Sequence, residues 1–181
     1  MSLLTPKIRV CAALMALSFA ADRLSKSWIE SDFALGEERT VIEGLLYLTH
    51  VRNRGAAFGL FADADANVKA IVFAAAAALA LAVVVIHLIG LAPGERRVAA
   101  ALGLVAGGAL GNLIDRLPPF GQGDVIDFLH VDLWGGYAWP DFNLADVAIV
   151  FGVAGLLIDM IGRESASRSN QEPIDPDESR A

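Results

Sequence analysis

Apolar residues in this chain fall in long uninterrupted stretches, not in the short alternations of a soluble sheet. A helix needs about 20 such residues to cross about 30 Å of hydrocarbon. The stretch Ala70 to Ala92 holds no ionisable side chain except His87, and its alanine and leucine content suits a helix. Val98 to Leu117 begins after Glu95-Arg96-Arg97 and carries Gly103, Gly107, Gly108 and Gly111. Glycines four apart let helix backbones approach closely, so Gly107 and Gly111 read as packing positions. Phe142 to Ile161 is a further span, with Asp146 and Asp159 near opposite ends of its apolar run.

The first apolar stretch, Val10 to Ala21, admits two readings because Asp22, Arg23 and Lys26 follow at once. A cleaved secretory signal would use Lys7 and Arg9 as its basic start and Ser18-Phe19-Ala20 as a small-x-small site. A retained helix from Lys7 to Glu30 fits better, since Asp22 and Lys26 stand four apart and can pair on one helical face. Trp28 then marks the far interface.

The pattern predicts an all-α integral membrane protein with four transmembrane helices, over about residues 7–30, 70–92, 98–117 and 142–161. One membrane domain covers 1–162, with outer loops at 31–67 and 118–141. Within the first loop, Thr40 to Val51 is rich in β-branched and aromatic residues and predicts a small extracytoplasmic β-element between helices 1 and 2, lying on the membrane surface. His50, near its end, reads as a loop residue. Residues 163–181 are polar, contain Pro173 and Pro176, and predict a disordered cytoplasmic tail.

Composition agrees. Of 181 residues, 55% are hydrophobic, above the about 45–50% of soluble domains. The net charge of -7 argues against a nucleic-acid partner. Much of that acidity sits near the C-terminus and in one loop. A single cysteine, Cys11, lies inside an apolar run, which excludes an intrachain disulfide and marks it as a small lipid-facing or packing residue.

Orientation follows from cations in short loops. Lys7 and Arg9, Arg96 and Arg97, and Arg163 and Arg168 fall on one side of a four-span chain, which makes that side, and both termini, cytoplasmic. Asp22, Asp115, Asp127 and Asp146 then gather near the outer interface. Arg39, Arg52 and Arg54 lie on that outer side as exceptions in a longer segment.

Carboxylates at a bilayer edge are costly to bury and are usually kept for proton or ion chemistry. Asp127 and Asp146 flank a short loop, and two such groups held face to face cannot both ionise easily. A carboxylate and a carboxylic acid sharing one water supply both the base and the proton donor that amide hydrolysis needs. Asn143 stands three residues before Asp146, and Asn112 three before Asp115, so each amide is placed to orient a carboxylate or hold a substrate backbone. The plain alternative makes Asp127 a loop carboxylate and Asp146 a charge favoured by a helix N-terminus. Asp115, beside Arg116, reads as structural, an ion pair at a helix end. Arg116 itself can bind a substrate carbonyl or anchor an acidic partner.

Asn53-Arg54-Gly55-Ala56-Ala57-Phe58, Gly111-Asn112-Leu113-Ile114-Asp115-Arg116, Val125-Ile126-Asp127-Phe128 and Phe142-Asn143-Leu144-Ala145-Asp146 follow one another in order. With Asp22 and Lys26, they make the chain resemble lipoprotein signal peptidase, the type II signal peptidase of bacteria, over about residues 7–162. The resemblance implies an inner-membrane aspartic endopeptidase that removes signal peptides from prolipoproteins just before a diacylglyceryl-modified cysteine. It places the catalytic dyad on Asp127 and Asp146, near the outer face. It places substrate-contacting or dyad-supporting roles on Asp22, Lys26, Asn53, Gly108, Asn112, Arg116 and Asn143. It implies no cofactor, membrane lipid and lipid-modified prolipoproteins as partners, and a monomer. Two departures stand out: Arg54 replaces a smaller residue such as threonine, and Pro118 to Asp124 is slightly longer than usual.

Rival chemistries fit less well. Asp127, His130 and Asp132 can be drawn as a metal site, but the chain lacks His-Glu-x-x-His and its three histidines lie far apart. Ser25 or Ser27 with Lys26 would make a serine and lysine dyad, yet sequence neighbours point to different helical faces. A small proton-coupled transporter or channel is the alternative from another class. It would need polar groups through the middle of the membrane, whereas the carboxylates here gather at one interface.

Overall fold

The computed structural model describes residues 5–53, 65–117 and 123–169. Four helices appear among them: α1 (Pro6–Asp32), α2 (Ala66–Gly90), α3 (Arg96–Arg116) and α4 (Leu144–Ser169). Three of these are long and apolar enough to cross a membrane, over Ile71–Gly90, Arg96–Arg116 and Leu144–Arg168. The 27-residue α1 is long enough, but Asp22, Arg23 and Lys26 lower its hydropathy.

α3 is the central helix. It packs against α1, α2 and α4, and 56% of its apolar window is buried, against 11% for α2 and 17% for α4. Small residues make this possible. A methyl added at Gly103 would overlap the Cys11 carbonyl oxygen, and one at Gly107 would overlap Ser18, so the α3 glycine stripe lets α1 approach at backbone distance. Cys11 is a packing residue, buried with Val84, Val98, Ala99, Leu102 and Ala106.

One end of the bundle is tied by charge. The Lys7 ammonium donates to the carbonyls of Ile89 (3.1 Å) and Leu91, satisfying the open C-terminus of α2. Arg163 of α4 bridges Asp159 on its own helix and Glu95 at the start of α3.

The other end carries a sheet larger than the sequence pattern predicts. The hairpin expected over Thr40 to Val51 is present as β1 (Glu38–Ile42) and β2 (Leu46–Asn53), but β3 (Val125–Asp132) and β4 (Ala138–Phe142) extend it into a four-stranded antiparallel sheet of order β1-β2-β3-β4. The segment 123–141 is therefore not a plain loop. His50, expected in a loop, is a buried residue of β2 whose Nδ1 lies 2.9 Å from the Phe33 carbonyl oxygen. A second core joins sheet to helix, with Ile126 and Phe128 of β3 packed on Ile29 and on Phe33, just past the end of α1.

α4 also runs further than expected. Arg163 to Ser169, read as the start of a disordered tail, is helical. Glu164 and Arg168 pair at i,i+4 and prolong it beyond the apolar run. Arg54, most of the 118–124 loop and residues 170–181 lie outside the described residues.

Candidate active site

The site lies where the C-terminal ends of α1 and α3 and the N-terminal end of α4 meet β2 and β3. Its geometry begins with the first turn of α4, whose backbone N–H groups have no partner within the helix. Asn143, immediately before the helix, accepts a hydrogen bond from the Asp146 N–H at its Oδ1 (3.1 Å), and its own N–H donates to Asp146 Oδ2 (3.2 Å). This reciprocal pair is a capping box built from Asn and Asp. The Asn-x-x-Asp spacing thus acts through the helix cap, not through a shared helical face. Asp22 of α1 adds a second cap, its Oδ1 accepting the Ala145 N–H at 3.1 Å.

Asp127 enters from β3, paired across the ladder with Val51. Two residues along β2, Asn53 donates its Nδ2 to Asp127 Oδ2 at 2.9 Å, a diagonal contact that sheet geometry brings within reach. Asn143 donates its Nδ2 to Asp127 Oδ1 at 2.6 Å. One asparagine therefore touches both aspartates. Its amide cannot flip without losing the N–H it accepts from Asp146.

Asn112 of α3 closes the network. Its Nδ2 donates to Asp146 Oδ1 at 2.8 Å, while its Oδ1 receives Lys26 Nζ (2.9 Å) and Asn143 Nδ2 (3.2 Å). Asn112 therefore serves Asp146, not Asp115 as its spacing suggests. Lys26, fully buried, also contacts Asp22 Oδ2 at 2.9 Å. It also lies 2.7 Å from Asp115 Oδ2.

Asp115 makes ion pairs, but not with the expected partner. Its carboxylate turns to Arg23 and Lys26 of α1, because consecutive helical residues point about 100° apart and Arg116 faces elsewhere. Arg23 carried no signal beyond being one more charge at the end of an apolar run. Arg116 lies over the Phe73 ring at 4.0 Å and donates to the Asn112 carbonyl oxygen at 3.3 Å, within the field of Asp127, Asp115, Asp146 and Asp124. Gly108 faces α4, where a methyl would overlap the Ala145 carbonyl oxygen. It sets how closely α3 approaches the turn that holds Asp146. His130 and Asp132 lie further along β3, where His130 pairs with Asp141 of β4 at 2.6 Å.

Burial dominates the electrostatics of Asp127, which is 2% exposed. Loss of solvent pushes its carboxyl up to about 6, helped by the nearby Asp146 and opposed by the hydrogen bonds from Asn53 and Asn143 and by the charge of Lys26. A carboxyl raised from 3.8 binds its proton more tightly folded than unfolded, so between pH 3.8 and about 6 the native state loses stability as pH rises. The full effect is about 3 kcal/mol. Thermal unfolding in detergent at about pH 4 and about pH 7 should therefore show Asp127→Asn gaining on the wild type as pH rises. A difference independent of pH would mean that Asp127 titrates normally.

Residues 14–162 match the family model described as signal peptidase (SPase) II. The chain belongs to the signal peptidase II family. It is an aspartic peptidase of lipoprotein processing, and the transporter reading falls away. Among similar proteins, the lipoprotein signal peptidase of Geobacter sulfurreducens is 41% identical over 159 residues, covering 88% of this chain and 96% of the relative. That of Syntrophomonas wolfei is 48% identical over 139 residues, covering 76% and 83%. A bacterial membrane enzyme solved by the in meso method superposes with a TM-score of 0.77 at 27% identity, covering 93% of this chain and 96% of the other.

Proposed function

We propose that the peptidase cleaves diacylglyceryl-modified prolipoproteins just before the lipidated cysteine, with Asp127 and Asp146 as its catalytic pair. The observation that carries this reading is Asn143, which holds one carboxylate by its side chain and the other by its backbone. In the reaction, a water between the carboxyl groups gives a proton to the ionised one and attacks the scissile carbonyl carbon. The protonated partner hydrogen-bonds the carbonyl oxygen as charge develops there. Collapse of the tetrahedral intermediate breaks the C–N bond, and the proton taken from water passes to the leaving cysteine nitrogen. Asp146, at the positive end of α4 and fed by the Asn112 amide, suits the ionised role. Asp127, whose burial pushes its carboxyl up to about 6, suits the protonated one.

In this reading α1 is a fourth span, whose charges turn inward to α3 and α4 and not to lipid. Both termini are cytoplasmic, and the site opens near the outer face of the inner membrane. Asn53 and Arg116 border the substrate's path. The protein works as a monomer without a cofactor.

Purified protein incubated with lipid-modified and unmodified precursor should release the signal peptide, identified by mass, from the modified form at about tenfold or higher rate. Equal cleavage of both forms would sink this substrate class.

A further inference from the structure

The space between α2 and α3 supports an inference that rests on the proposed substrate and deepens it. A cleft opens there, with about 490 Å³ of empty space including its open side, walled by Phe73, Ala77 and Ala80 of α2 and by Ala109 and Leu113 of α3, with Arg116 at its outer end. It joins the active site directly, because Asn112, which donates to Asp146, also lines it. From residue 116 to residue 109 the helix descends about 10 Å. The mean cross-section is therefore about 50 Å², even counting the open side, whereas a helix about 10 Å across needs about 80 Å². A hydrocarbon chain fits within this cleft, whereas a signal-peptide helix is too wide to enter it and would lie across its open side.

The cleft is also open to lipid. α2 packs mainly on α3 among the described residues, and Ile71, Leu79 and Ile86 leave its outer face exposed. A chain already in the bilayer can slide in sideways past apolar side chains. Leaving lipid for such a cleft yields little hydrophobic gain, since lipid tails are as apolar as leucine. Selection must therefore come from fit, and the alanines at 77, 80 and 109 provide the room.

We propose that this cleft seats an acyl chain of the substrate's diacylglyceryl group, with its ester end beside Arg116 and Asn112. The seated chain fixes the lipidated cysteine against the carboxylates and sets how far the peptide reaches across them. It makes α2, which supplies no acid or base, the element that reads the lipid.

Two measurements test this. A precursor carrying a photoreactive group in its acyl chain, irradiated with wild-type protein, should label peptides within 73–80 or 109–113. Labelling confined to α1 or α4 overturns the proposal. In parallel, Ala80→Phe fills the cleft, and the ratio of kcat/KM for dipalmitoyl over diacetyl precursor should fall about tenfold to hundredfold. Cleavage of the diacetyl form reports that the variant is folded, and Ala80→Val, with a smaller fall expected, replaces it if it is not. A wild-type protein that cuts neither precursor overturns the proposed function together with the cleft. One that cuts both, with a ratio the variants leave unchanged, overturns the cleft alone.

Discussion

Asparagine in place of Asp127 or of Asp146 should lower cleavage of lipid-modified precursor by about a thousandfold or more, with little change in the amount of folded protein. The replacement keeps the shape of the side chain but removes its ability to take or give a proton. The double variant should be little worse than either single one, because groups that act as a unit lose their function once. Asp115→Asn should behave differently. Its carboxylate faces Arg23 and Lys26 on α1, so the change should lower thermal stability while each folded molecule still cleaves. Turnover by equal amounts of extracted protein decides the matter. Substantial turnover in Asp127→Asn, with none in folded Asp115→Asn, would mean that the dyad has been placed on the wrong carboxylate.

The second large effect concerns Lys26→Met. Lys26 is 0% exposed and contacts Asp22, Asp115 and Asn112. Methionine fills similar volume but leaves Asp22 buried without its cation. Asp115 keeps only Arg23. Removing one member of a buried charged cluster costs about 3–5 kcal/mol, a large part of a typical stability of about 5–15 kcal/mol. The folded yield in detergent should collapse, and Lys26→Met combined with Asp22→Asn should recover part of it by removing the stranded charge. A single variant as stable as the wild type would show that these charges are not coupled in the folded protein.

Helix positions were legible in the sequence because hydropathy is a local property, and 71–90 needs no partner to be recognised. The second half of the sheet was not. β3 pairs with β2 across more than 70 intervening residues, as Val51 with Asp127, and such pairings leave no trace in either segment alone. β4 contains Pro140 and follows Gly135 and Gly136, both at positive φ, so its residues read as turn. The aspartates and asparagines of the site were visible as residues, but their wiring was not. Asn112 suggested Asp115 by spacing and serves Asp146 instead. Asp115 suggested its chain neighbour and reaches α1. Spacing along one helix names the residues that share a face, while the choice of partner belongs to whichever helix packs there.

The Asp22 carboxylate that caps α4 at Ala145 spans 123 positions of chain, and this has a consequence for biogenesis. α1 is made first and α4 last, yet each completes the other: Asp22 lacks one of its two donors until Ala145 arrives, and Asp127 lacks Asn143. A nascent chain can gather Asp22 and Asp115 around Lys26 once α3 is made, but Asp127 and Asp146 come together only after α4. The proposed dyad comes into existence with the final helix, so a translation product truncated before α4 should have no peptidase activity.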